Sequence, residues 1–176
     1  MAAQKTPPRT PKAPGGTAEA VREAIAGPVA AAGLDLEDVS LRRAGSRVLL
    51  QVLVDTDGGV TLDAVAALSS GLAETLDASG VMGDRAYVLD VGSPGVDRGL
   101  TLTRHWRRNS GRLVRLTGTD ASEQTGRIIS VIGPADDAAP SAVSLEVGGA
   151  AVELSAAFVR RAVVQVEFNV AQPLED

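Results

Sequence analysis

The 176-residue chain has no cysteine. That absence removes disulfides, thiolate nucleophiles and thiolate-held metals together, and it fits a reducing, cytoplasmic setting. Histidine occurs once, at His105, so a metal centre would need carboxylates alone, and no spacing of Asp and Glu here forms such a set. Aromatic residues make up 2% of the chain. Any core must therefore be built from Val, Leu, Ile and Ala. Tyr87, Trp106, Phe158 and Phe168 are too few to form stacking platforms, so sequence-specific reading of single-stranded RNA is not expected. No apolar run approaches the roughly 20 residues of a membrane span, and residues 1–16 lack the apolar stretch of a secretory signal. The expectation is a cytoplasmic protein with no membrane association.

Motifs for catalysis are missing as well. "DVGSPG" is only superficially like a phosphate loop, because neither G-x-x-x-x-G-K-[ST] nor G-x-G-x-x-G occurs at a strand-to-helix turn. "GSPG" is not the G-x-S-x-G nucleophile elbow, and no Ser, His and Asp set accompanies it. "VDTDGG" begins like a calcium loop at Asp55, Asp57 and Gly58 but lacks the distal Glu, so a turn and a helix cap account for it better. His105, among Arg104, Arg107 and Arg108, is assigned a structural or surface role over that of general base or ligand. No catalytic residue, metal or cofactor is expected.

What the chain does have is 44% apolar and 22% charged residues, ordinary values for a protein that buries a core. Its net charge of −5 is unevenly spread: residues 1–16 carry +3, 17–84 carry −7, 85–117 carry +5 and 118–176 carry −6. A basic island thus sits inside an acidic chain. It holds Arg85, Arg98, Arg104, Arg107, Arg108, Arg112 and Arg115, all arginine and no lysine. The guanidinium fork binds phosphate bidentately, so this is one way to build an RNA-facing patch. The plainer alternative is that these arginines balance the flanking acidic segments across a domain interface.

The pattern along the chain predicts two domains. Residues 1–16, rich in Pro, Gly and small polar residues, read as a disordered basic tail, either lying on an anionic partner or idle. Thr17 caps a helix with Val21, Ile25 and Val29 on one face, which Gly27-Pro28 should kink or interrupt. Leu36 to Arg43 and Arg47 to Val54 read as a hairpin, the second strand central because both its faces are apolar. Thr61 caps a second helix ending near Gly80, with Leu62, Val65, Leu68, Leu72 and Leu76 at helical spacing. Tyr87 to Val91 reads as a third strand. Residues 17–92 are therefore expected to form a two-layer α/β domain in the order helix, strand, strand, helix, strand.

Residues 93–100 read as an interdomain loop. Pro94 restricts one bond and the glycines free others, and Asp97 is expected to accept from nearby backbone amides. Residues 101–170 read as the second domain, with a short helix capped by Thr103 and then short strands at Arg112–Thr117, Gly126–Ile132, Ala142–Val147, Ala150–Leu154 and Arg160–Phe168. "SAAF" is a candidate turn of 3₁₀ helix before the last. Such spacing predicts a small β-barrel or sandwich. Residues 171–176 read as a second disordered tail.

"VDTDGGVTLDAVAALSSGLAETLD", "YVLDVGSPGVDRGLT", "GRLVRL" and "VRRAVVQVEF" together resemble the ribosome maturation factor RimP family in its actinobacterial form, over roughly residues 17–168. The S-P-G-x-D-R run is the most specific element, carried here by Ser93, Pro94, Gly95, Asp97 and Arg98. The resemblance implies an α+β protein whose N-terminal α/β domain precedes an SH3-like β-barrel. It further implies a monomeric, non-enzymatic factor for maturation of the small (30S) subunit in the cytoplasm. The implied partners are rRNA and a basic ribosomal protein near the decoding centre, reached through the C-terminal domain. The chain departs from the family at Gly92, commonly Ser or Thr, and at Gly99, commonly Pro. Both changes loosen the backbone. With the island's Arg98, Arg104, Arg107, Arg108, Arg112 and Arg115 as the expected partner- or RNA-binding residues, the rival expectation is a small SH3-like or Sm-like regulator acting on free RNA.

Overall fold

Thr17 starts the first helix because its side chain accepts the Ala20 N–H at 3.2 Å, satisfying one of the donors that a helix N-terminus leaves open. This computed structural model describes residues 16–95 and 97–167. Apart from Gly16, both expected tails and Phe168 lie outside the described residues. Gly16 itself donates to the Val81 carbonyl at 3.0 Å. The chain divides into two compact units between Pro94 and Gly95.

In the first unit, helix α1 (Ala18–Ala31) buries Val21, Ile25 and Val29. The expected break at Gly27-Pro28 does not occur, and Pro28 lies inside the helix. Proline withholds one N–H, but the last turn still closes as Ala32 donates to the carbonyls of Pro28 and Val29 at 3.1 Å each. Strands β1 (Asp35–Ala44) and β2 (Arg47–Asp55) pair antiparallel with Ala44 opposite Arg47. Gly45 and Ser46 alone make the turn, and Gly45 supplies its positive φ of 63°. Helix α2 (Leu62–Ser79) opens on Thr61, which accepts from the Ala64 N–H at 3.2 Å, and closes on Gly80 at φ 63°. Strand β3 (Tyr87–Gly92) returns parallel to β2, so the sheet order is β1-β2-β3 with the apolar β2 in the middle.

One core unites these elements. Val21, Ile25, Val29, Leu68, Leu72 and Leu76 of the helices meet Val39, Leu50, Val52 and Val54 of the sheet. Tyr87, the chain's one tyrosine, packs against this core and donates its hydroxyl to Asp77 Oδ1 at 2.8 Å. Burial, followed by the bond to Asp77 and that carboxylate's charge, pushes its pKa up to about 12.

The second unit opens with helix α3 (Thr103–Arg108), followed by β4 (Leu113–Gly118), β5 (Glu123–Ile132), β6 (Ala142–Val147) and β7 (Ala150–Ser155). A single 3₁₀ turn at Ala156–Phe158 leads into β8 (Val159–Val164). All pairings are antiparallel and the sheet order is β7-β6-β5-β4-β8. Among the described residues no pairing joins β7 to β8, so the sheet is not closed. Strand β5 begins three residues earlier than its apolar pattern shows, because Glu123, Gln124 and Thr125 are in register with Thr117, Leu116 and Arg115. The core of this unit is Trp106, Val114, Leu116, Ile128, Val143, Leu145 and Ala162. No helix among the described residues is long and apolar enough to cross a membrane.

Two measurements test this packing. Leu72→Ala, at a position with no exposed surface, should cost about 2–5 kcal/mol of stability by chemical denaturation, whereas Leu62→Ala, at 87% exposure, should change it by less than about 0.5 kcal/mol. Because Tyr87 is the sole tyrosine, its phenolate absorbance reports one group, and its midpoint should lie near pH 12 in the native chain. The folded state holds this proton longer than the unfolded chain does. Stability from the interaction is therefore full below about pH 10 and lost as pH rises through about 12.

Candidate functional site

Most of the arginines singled out from the sequence surround α3, and the helix is held there from several sides. Its first turn docks on the loop between β5 and β6: Thr103 N–H and Oγ1 both donate to the Ala138 carbonyl, at 2.8 and 2.9 Å, and Arg104 N–H donates to the Asp136 carbonyl at 3.1 Å. Leu102, and not Thr103, occupies the N-cap position, and it brings no capping side chain. His105 replaces that function. Its Nδ1 accepts the backbone N–H groups of both Thr101 and Leu102 at 3.2 Å, so this nitrogen carries no proton of its own. His105 and Trp106 are both buried, the latter inside the core. A Cβ at Gly133 would overlap Thr103 Oγ1, which explains the glycine where the β5–β6 loop meets the helix.

The structure sorts the island's arginines into different environments. Arg85 belongs to the first unit and the other six to the second. Arg104 is buried, and its Nη1 lies 2.6 Å from Asp137 Oδ1. Arg107 is exposed and places Nη1 at 2.5 and 2.6 Å from the two carboxylate oxygens of Asp136. Arg98 and Arg108 are half-buried. Arg112 and Arg115 are exposed: Arg112 donates to Asn109 Oδ1 at 3.2 Å, and Arg115 to Gln165 Oε1 at 2.9 Å. The Arg115 partner is neutral, whereas Arg112 also lies near enough to Glu167 to help lower that carboxyl's pKa. Both are exposed and can meet an outside anion.

Strand register adds two arginines that charge sums along the sequence missed. Arg115 stands opposite Thr125 and Val163, Arg127 opposite Leu113, and Arg161 opposite Thr117. Leu113, Arg115 and Thr117 alternate away from the buried Val114 and Leu116, so Arg115, Arg127 and Arg161 share the outer face of β5-β4-β8. Alternation within β5 and β8 was the available signal. The acidic total of residues 118–176 concealed it. Arg127 also bonds Glu167 at 2.7 Å, and that bond holds the Glu167 carboxyl below its usual range.

The S-P-G-x-D-R run straddles the division between the units. Ser93 and Pro94 end the first, and Gly95 opens the second. Arg98 N–H donates to the Gly95 carbonyl at 3.1 Å, forming a turn. Asp97 is exposed, and its backbone carbonyl accepts from Arg161 Nη2 at 3.4 Å. Gly99 bridges Val163, and Leu100 N–H donates to the Ala162 carbonyl at 2.9 Å, so this segment runs along the free edge of β8. Among the described residues no group of three or more Asp, Glu or His could hold a metal ion.

With this geometry established, comparison with known proteins gives a consistent result. A family model described as the RimP N-terminal domain matches residues 24–97. A protein of Frankia casuarinae named ribosome maturation factor RimP is 42% identical over 176 residues, covering 96% of this chain and 66% of its own length. A protein of the same name from Kineococcus radiotolerans is 49% identical over 110 residues, covering 60% of this chain and 53% of its own. The chain thus spans about half to two thirds of the relatives it matches.

The anchoring role of His105 is directly measurable. His105→Phe keeps a buried ring but removes the acceptor for two backbone donors, and it should cost about 1–3 kcal/mol of stability by denaturation. His105→Asn, which restores an acceptor, should recover part of that loss.

Proposed function

Because the chain belongs to the ribosome maturation factor RimP family, we propose that it is a non-enzymatic assembly factor acting in the cytoplasm on the small ribosomal subunit. It works as a monomer through binding energy alone. A factor without chemistry advances assembly only by holding the immature subunit in a conformation it binds better than the alternatives.

The C-terminal unit is the docking module in this reading. Its consecutive antiparallel strands, with a 3₁₀ turn before a last strand that returns to the first, support an SH3-like barrel. The observation that carries the reading is the exposed arginine face, Arg115 with Arg161 and the Glu167-paired Arg127, and Arg112 close by; in this reading its targets are rRNA phosphates. Guanidinium groups on rigid strands bind phosphate with little loss of side-chain freedom. Arg104 serves differently, pinning α3 to Asp137. Arg98, Arg107 and Arg108 are further candidate contacts, and the run from Ser93 to Asp97 supplies the joint between units. Acidic segments elsewhere suit the second partner, a basic ribosomal protein near the decoding centre, because opposite charge speeds and orients encounter.

Binding to free small subunits tests the arginine face. Arg112→Ala with Arg115→Ala should weaken binding and lower the slope of log affinity against log salt by about 2, since each lost phosphate contact releases about one counterion fewer. An unchanged affinity and slope would remove these arginines from the interface. Tight binding to short isolated RNAs with none to subunits would favour a regulator of free RNA instead.

A further inference from the structure

Charge in the first unit is segregated more sharply than its acidic total indicates. Among the described residues up to Pro94 it has five arginines and no lysine, and four of them, Arg42, Arg43, Arg47 and Arg85, line one groove of about 710 Å³. Asp84 is the one acidic residue in its lining. The groove lies where the β1–β2 turn meets the segment entering β3, and the parallel pairing of β2 with β3 builds it: Val48 N–H donates to the Ala86 carbonyl at 3.0 Å, which sets Arg47 beside Arg85 although 38 positions separate them in sequence. Arg42 and Arg43, opposite Leu49 and Val48, alternate to the two faces of the sheet and flank the groove's end. All four arginines are exposed, and among the described residues no ion pair or side-chain hydrogen bond engages them.

We propose that this groove is a second RNA-backbone site, carried by the N-terminal unit and separate from the arginine face of the C-terminal one. The proposal rests on the reading of the chain as a factor that binds rRNA. Four like charges gathered in one groove of an otherwise acidic unit repel one another, and an anionic occupant relieves that repulsion. The choice of arginine throughout favours phosphate, which the planar fork meets bidentately. The small residues Gly16, Gly45 and Ser46 in the lining let a continuous backbone approach closely, and the lining offers no exposed aromatic ring for base stacking. The occupant is therefore a phosphate backbone read without regard to sequence.

The test uses the full chain and a protein-free small-subunit rRNA transcript. Arg43→Ala with Arg47→Ala should weaken binding and lower the salt slope by about 2, and the corresponding Arg→Lys pair should restore most of the slope, since lysine keeps the charge. Both positions are exposed, so the denaturation midpoint should not move. An unchanged slope in the alanine pair would overturn the proposal. So would a loss of polyglutamate binding in that pair with RNA binding intact, because the occupant would then be an acidic protein segment. Parallel measurement of Arg112→Ala with Arg115→Ala separates the two sites: loss there and none at Arg43 and Arg47 leaves the assembly reading standing and removes this groove.

Discussion

The ion pair between Arg104 and Asp137 organises the second unit. An arginine cannot shed its proton, so a guanidinium taken out of water has to be paired. Only 9% of the Arg104 side chain is exposed, and Asp137, itself 88% exposed, meets it from the solvent side of the β5–β6 loop. That contact, with the bonds of Thr103 to Ala138, fixes where α3 begins. Once the helix is set, Trp106 falls into the core and the Nδ1 of His105 reaches the two amides preceding the helix. The five-stranded sheet then presents its other face, with its arginines, to solvent. Arg104 is thereby structural, whereas Arg115 on the outer face meets only the neutral Gln165.

Much of the fold is legible from local chemistry. Thr17, Thr61 and Gly80 mark helix ends because side-chain oxygens and a left-handed glycine satisfy backbone groups that a helix leaves open, and these are short-range demands. The β1–β2 turn is equally readable from Gly45. Pro28 misleads because a proline disfavours a helix interior without forbidding it: one N–H is lost, yet α1 runs on to Ala31 and Ala32 still donates to the Pro28 and Val29 carbonyls. Thr103 misleads because capping can be supplied by a side chain further along, in this case His105. Trp106 sits among basic neighbours in the sequence, yet helical rotation turns it inward while Arg107 points out.

The candidate sites are less legible, for a physical reason. A basic surface is made by residues adjacent in space, and strand pairing joins positions that a sequence window separates. Arg115, Arg127 and Arg161 come together through the register of three strands, and Arg47 and Arg85 through a parallel crossover. Window totals of charge mark residues 17–84 and 118–176 as acidic and so hide the arginines that each contributes. The same totals make Arg104 look equivalent to Arg112, although one is buried against a carboxylate and the other is exposed.

An acidic protein with concentrated arginine surfaces suits a transient helper on a ribonucleoprotein: repulsion from bulk RNA discourages indiscriminate binding, while local charge secures the intended contact. The central claim is that this chain acts on small-subunit assembly, and the most direct measurement is a sucrose-gradient profile of cells from which it has been deleted. The account predicts surplus free subunits and unprocessed small-subunit rRNA, both restored by the wild-type chain. A normal profile with fully processed rRNA would contradict it.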